Sequence, residues 1–163
     1  MIEHKYYFEG SMTYQISVLD LPDQPTLAIR TTLPVERLPE FFAHAYSSIM
    51  AYLNEIGESV AGMPYGAYFN LDMQALDVEA GFPVSKNLPG KGEVISGTIK
   101  GGKFLSTIHK GAYDTVEPAY DALKEFAKEK GYSISGLAYE YYLNDPREDP
   151  SGIALTEIRL PLD

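Results

Sequence analysis

A nine-residue stretch occurs twice in this 163-residue chain, and the spacing of the copies limits the folds open to it. Gly62-Met-Pro-Tyr-Gly-Ala-Tyr-Phe-Asn70 aligns without a gap with Gly136-Leu-Ala-Tyr-Glu-Tyr-Tyr-Leu-Asn144. Gly62, Tyr65, Tyr68 and Asn70 match Gly136, Tyr139, Tyr142 and Asn144, each pair 74 residues apart. Leu38, Phe41, Phe42, Ala45, Ile49, Leu53 and Ile56 precede the first copy at three- and four-residue steps, the stripe of an amphipathic helix. Pro39 suits its first turn and Gly57 its stop. Val116, Tyr120, Leu123, Phe126 and Ala127 form a second stripe before the second copy, ending at Gly131. Asp114 and Glu117 have capping-box spacing at its start.

Alternating apolar residues bounded by glycine and proline predict strands at 14–19, 27–32, 67–70, 75–84, 93–99, 104–109, 132–143 and 153–160. Gly101-Gly102 predicts a hairpin turn, and 86–92 reads as a linker. Each copy of the repeat follows a helix and opens a hairpin, so each half presents one helix to antiparallel strands, an α+β arrangement. Residues 1–12 join no pattern, and Gly10-Ser11-Met12 reads as a scar ahead of the native start. They are set aside as a tag or disordered leader, leaving one domain at 13–162 with halves at about 13–85 and 92–162.

Composition narrows the function classes. With 13 Lys+Arg against 23 Asp+Glu, the formal charge of −10 speaks against direct contact with nucleic acid or an anionic membrane surface. It permits a cationic ligand. The absence of cysteine removes disulfides, thiolate metal sites and cysteine nucleophiles. His4, His44 and His109 have no ligand spacing, so no metal and no cofactor is expected. Asp145, Arg147, Glu148 and Asp149 lack calcium-loop spacing, and neither a Ser/His/Asp triad nor a phosphate loop can be argued. No apolar run nears the ~20 residues of a membrane span, and the first residues lack a secretion signal, so a cytoplasmic location is expected. Thirteen tyrosines and seven phenylalanines, without tryptophan, supply π faces and hydroxyls suited to strands or to a pocket.

The repeat breaks at one chemically telling position: Gly66 in the first copy is Glu140 in the second. Strand alternation puts Ala138, Glu140 and Tyr142 on one face, with Tyr139, Tyr141 and Leu143 on the other. Glu140 reads either as a solvent-facing glutamate on a half-buried strand or as a carboxylate lining a cleft between the halves. In the second case it would bind a cation by charge and through neighbouring rings, and desolvation would raise its pKa. Gly66 opposite would leave room for a ligand. Tyr68, repeat mate of Tyr142, would enter the cleft from the other side. Tyr65 is read as core sharing a face with nothing charged, His109 as structural, His44 as an edge histidine and Tyr113 as helix-entry packing.

His109-Lys-Gly-Ala-Tyr113, Glu140-Tyr-Tyr-Leu-Asn-Asp-Pro146, Ile158-Arg-Leu-Pro-Leu162 and Asp77-Val-Glu-Ala-Gly-Phe-Pro-Val84 resemble segments of the GyrI-like family, also called the AraC effector-binding domain. The resemblance spans roughly 13–162. It implies a pseudo-twofold tandem of two βαβββ-like modules, an antiparallel sheet with two helices and a central ligand cleft. It implies that Glu140 sits in that cleft with Tyr142 beside it. Members bind lipophilic cationic or aromatic small molecules, as sensors fused to a DNA-binding helix-turn-helix or free-standing. Some free-standing members resemble hydrolases of cyclopropane-bearing compounds that use the same glutamate, and others are associated with gyrase inhibition. Here about a dozen residues precede the first strand, too few for a helix-turn-helix, so direct transcriptional control is not expected. Tyrosine would replace the tryptophan that some members carry in the pocket.

The expectation is a binding domain for a hydrophobic, aromatic, cationic small molecule, with Glu140, Tyr142 and Tyr68 as ligand-binding residues. The alternatives are a hydrolase of strained or electrophilic aromatic compounds, with Glu140 as base and Tyr142 positioning water, and a protein-interaction role such as gyrase inhibition. No feature of the sequence points to a protein partner.

Overall fold

The computed structural model describes residues 4–9 and 12–163, with side chains from residue 13 onward. In chain order its elements are β1 (His4–Glu9), β2 (Met12–Leu21), β3 (Gln24–Leu33), α1 (Leu38–Ile56), β4 (Tyr65–Tyr68), β5 (Leu76–Pro83), β6 (Ile95–Ile99), β7 (Gly102–Lys110), α2 (Glu117–Lys130), β8 (Ala138–Tyr142) and β9 (Leu155–Pro161). The strand pairs described below are all antiparallel, so the class is α+β with two helices. Of the predicted leader, residues 1–3 and Gly10-Ser11 lie outside the described residues, while His4–Glu9 pair with β2.

The chain divides into two compact units, Asp23–Gly101 and Met1–Pro22 together with Gly102–Asp163. Within Asp23–Gly101 the strand order is β6-β3-β5-β4. Leu76, Val78, Ala80 and Phe82 alternate along β5, so all four point to one face and meet Phe41, Ala45, Ile49, Tyr52 and Leu53 of α1. Asp77, Glu79 and Gly81 fall on the opposite face. The helix ends where expected: Gly57 takes the left-handed conformation, φ 71°, and its N–H reaches back to the carbonyls of Asn54 and Leu53.

The segment 86–92, predicted as a linker, is fastened inside this unit. Leu88 is buried in the α1 core, and the Tyr52 hydroxyl donates to the Pro89 carbonyl at 2.7 Å. Lys86 and Lys91 reach Glu58 and Glu55 at 3.2 and 2.8 Å. Proline and glycine mark a chain without regular backbone bonding. They do not tell whether its side chains pack.

In the other unit the order is β1-β2-β7-β9-β8. Tyr14, Ile16 and Val18 of β2, Leu105 of β7 and Ile158 and Leu160 of β9 pack on Ala119, Ala122, Leu123, Phe126 and Ala127 of α2. Burying each large apolar side chain contributes about 1.5–3 kcal/mol, far more than the helix propensity that placed the stripe. Gly131 closes α2 at φ 73°, and Lys128 and Lys130 lie in its last turn, where positive charge suits the helix dipole.

Three local expectations are corrected. No hairpin forms at Gly101-Gly102: β6 pairs with β3, while β7 pairs with β2 and β9. The two glycines instead join the two units. The strand predicted over 132–143 is confined to Ala138–Tyr142, and before it only Ile134 makes an isolated bridge, to Leu162. The Asp114/Glu117 spacing makes no cap, because a single-turn helix at Tyr113–Thr115 intervenes and Val116 takes the capping position without a side-chain bond.

Candidate functional site

β8 carries Glu140 opposite Ile158 and Tyr142 opposite Thr156. Ile158 belongs to the α2 core, so Glu140 and Tyr142 lie on the α2 side of their strand, as alternation predicts. Tyr139 and Tyr141 point the other way, opposite Arg159 and Glu157.

Glu140 is half-buried and held by two phenols. The Tyr120 hydroxyl, projecting from α2, donates to Oε2, and the Tyr142 hydroxyl lies 3.3 Å from Oε1. Among the described residues no lysine or arginine forms an ion pair with it. Removal from water pushes the Glu140 carboxyl above the usual carboxylate range; the two tyrosine bonds pull it down, and burial wins. The back of the strand contrasts with this. There Arg159 Nε is 2.6 Å from Glu157 Oε2, and its guanidinium lies 4.3 Å from the centre of the Tyr141 ring, so charge is neutralised internally. Glu140 is a carboxylate whose charge is left for something else to balance.

Tyr113 extends this cluster. Its ring stands edge-on to Tyr142, with centroids 5.6 Å apart and planes at 83°, and it is 49% exposed. It occupies the helix entry as expected, but its packing partner is the strand tyrosine beside Glu140. Tyr120 was read only as part of the helix stripe. The signal that marks it is the repeat: 74 residues separate it from Tyr46, the spacing that relates Glu140 to Gly66. Where Glu140 stands, the Tyr120 hydroxyl finds a carboxylate. At Gly66 there is no side chain, and the Tyr46 hydroxyl donates to the carbonyl of Tyr65, 2.7 Å away.

Tyr68 lies in the Asp23–Gly101 unit, on β4 opposite Val78, half-buried against the α1 core. Tyr65 is fully buried, yet it does share a face with charge, contrary to expectation. It pairs with Gly81, and its hydroxyl donates to Glu79 Oε2 at 2.8 Å. Burial raises the Glu79 carboxyl as well, against the pull of Tyr65 and Arg30. Glu79 went unread because the register that puts it beside Tyr65 is a tertiary fact.

His44 is exposed, with Nε2 2.5 Å from Glu93 Oε1. His109 is fully buried, between the Tyr14 hydroxyl at Nδ1 and Thr115 Oγ1 at Nε2, each 3.0 Å away, and burial lowers its pKa. The acidic loop satisfies itself: Arg147 pairs with Asp145 at 2.9 Å, and Asp149 accepts from Ser151 and Asn144. Among the described residues no cluster of His, Asp or Glu could hold a metal ion.

A family model described as the GyrI-like small molecule binding domain matches residues 14–163. The chain belongs to the GyrI-like family. Its fold is similar to that of EcmrR in a DNA complex, at 21% identity and TM-score 0.71, over 92% of this chain and 57% of that one. This chain therefore spans a little over half of that EcmrR chain. The crystallised C-terminal domain of EcmrR is matched over 92% of this chain and 98% of that one, at 21% identity and TM-score 0.68. A hydrolase from Listeria innocua is similar at 14% identity and TM-score 0.66, over 91% of both chains. SAV2435, solved bound to tetraphenylphosphonium, is similar at 15% identity and TM-score 0.63, over 93% of this GyrI-like chain and 94% of that one. A search of curated proteins finds no match. No helix among the described residues is long and apolar enough to cross a membrane.

Proposed function

We propose that this GyrI-like domain binds hydrophobic, aromatic cations of the multidrug type, with Glu140 balancing the ligand's charge and Tyr142 offering its ring and hydroxyl. The observation that carries the reading is the half-buried Glu140 carboxylate, bonded only to neutral phenols and without an ion-pair partner among the described residues. Such a carboxylate has paid most of its desolvation cost before a ligand arrives, so a cation gains more here than from an exposed carboxylate. A pseudo-twofold pair of modules, with Tyr68 facing Glu140 across a ligand cleft, is part of the same proposal. Its support is the 74-residue repeat and the matching strand orders β2-β7-β9-β8 and β6-β3-β5-β4.

Tetraphenylphosphonium, the ligand of the relative SAV2435, is a suitable probe. Glu140→Gln keeps the shape and an acceptor for Tyr120 while removing the charge, and is expected to weaken calorimetric affinity about tenfold or more. Equal affinity of variant and parent would remove Glu140 from the site.

A second reading is favoured by the raised Glu140 pKa and by the likeness to a Listeria hydrolase. In it Glu140 accepts a proton from water, Tyr142 orients that water, and a strained or electrophilic aromatic substrate is opened. Mass spectrometry after incubation with cyclopropane-bearing aromatic compounds separates the two: unchanged compound favours binding, a product heavier by one water favours turnover.

A further inference from the structure

Beside the Glu140 cluster, within the same unit, lies a groove of about 490 Å³ lined by Gly111, Ala112, Tyr113, Pro146, Ile153 and Ala154, with Gly152 at its margin. We propose that this groove is an aryl subsite: it receives an uncharged aromatic arm of the ligand whose cation Glu140 neutralises, and Tyr113 is the wall between the two. The proposal rests on the cation-binding reading of Glu140 and adds where the rest of the molecule goes.

The lining's chemistry argues for an apolar guest. Its backbone groups are already used: Gly111 N–H donates to Ala154 O at 2.9 Å, and Ala112 O accepts from the Thr115 hydroxyl at 2.7 Å. Ile153 O accepts from Asn144 Nδ2 at 2.8 Å. A polar guest would find few partners, whereas the flanks of Tyr113 and Ile153, 49% and 48% exposed, still have apolar surface to cover. The groove is continuous with the charge site through one contact, the edge-on Tyr113–Tyr142 pair, and Tyr142 in turn reaches Glu140.

The wall is held from beneath. Thr115 spends its hydroxyl proton on Ala112 O, so toward His109 it can only accept, and His109 must carry its proton on Nε2. Nδ1 is then the acceptor for the Tyr14 hydroxyl. A directed chain from β2 through β7 thus fixes the turn that carries Tyr113. On the other bank, Asn144 ties the loop through Ile153 O, the Leu155 N–H and Asp149. Two anchored banks make a preformed groove, which lowers the ordering cost of binding.

The test compares tetraphenylphosphonium with triphenylphosphine oxide, an uncharged molecule bearing three of the same aryl arms. Tyr113→Ala and Ile153→Ser are expected to weaken both about tenfold, and the Ile153 and Ala154 methyl resonances of the parent protein to shift with either. Glu140→Gln is expected to weaken the phosphonium alone. If the two groove variants bind both molecules like the parent and the methyl resonances stay still, the subsite proposal is overturned whatever Glu140→Gln does. If Glu140→Gln leaves the phosphonium unaffected while the groove variants lose both molecules, the charge reading falls and the groove stands as an aromatic site. No binding of either molecule overturns both.

Discussion

Glu140 sets a sign that can be checked without any ligand. Its carboxyl is raised above the ordinary value in the folded protein, so the fold binds that proton more tightly than the unfolded chain does. The stabilisation this brings is complete below the unfolded carboxyl pKa and is lost as pH rises through the raised folded value. At neutral pH the ionised side chain therefore weighs against folding, and Glu140→Gln should melt at a higher temperature than the parent. The difference should shrink to nothing as pH falls below the usual carboxylate range. Thermal melts across that range decide it; a variant less stable at pH 7 would mean the two tyrosine bonds outweigh the burial. Lower stability of the parent at the pH where Glu140 is charged is the ordinary trade between a functional carboxylate and a packed strand.

Among the elements, the β4–β5 pair is the tightest junction. Tyr65 sits opposite Gly81, and a Cβ added at Gly81 would lie 2.7 Å from the Tyr65 hydroxyl and 2.8 Å from both Ala28 Cβ and the Leu27 carbonyl. The glycine is there for close approach: the phenol crosses its empty position to reach Glu79. Gly81→Ala should cost about 1–3 kcal/mol in denaturant unfolding, since backbone on the β3 side cannot give way. A change below 0.5 kcal/mol would show that the strands separate more readily than this packing implies. The same element explains why Glu79 could not be read beforehand. Alternation places Glu79 and Gly81 on one face of β5, but which tyrosine of β4 faces them depends on register, and no short-range signal sets it.

At the scale of the whole molecule, the charge of −10 is unevenly answered. Arg30, Arg37, Lys86, Lys91, Arg147 and Arg159 are in ion pairs, most of them exposed and each worth about 0–1 kcal/mol. Repulsion among the remaining acidic groups is spread over the surface and should dominate. Raising salt from ~10 mM to ~150 mM contracts the screening length from roughly 30 to roughly 8 Å, and the melting temperature should rise. A fall would show that the exposed pairs contribute more than their geometry implies.

Helix stripes, strand alternation and the 74-residue repeat were sufficient for both helices, for both stop glycines and for the face on which Glu140 and Tyr142 lie, because these depend on periods of a few residues along one element. The repeat even held the position of Tyr120, in its spacing from Tyr46, since a duplicated module keeps the offset between a helix residue and the strand it meets. Pairing between distant strands was beyond that reach. Gly101-Gly102 resembles a hairpin turn, yet β6 joins β3 and β7 joins β2, because buried apolar faces, not the turn, select the partners. Residues 86–92 resemble a linker, yet Leu88 fills the α1 core. The choice of Glu140 as the acidic residue to watch came from the chain. That it meets two phenols and no cation among the described residues was decided only when α2 packed on β8.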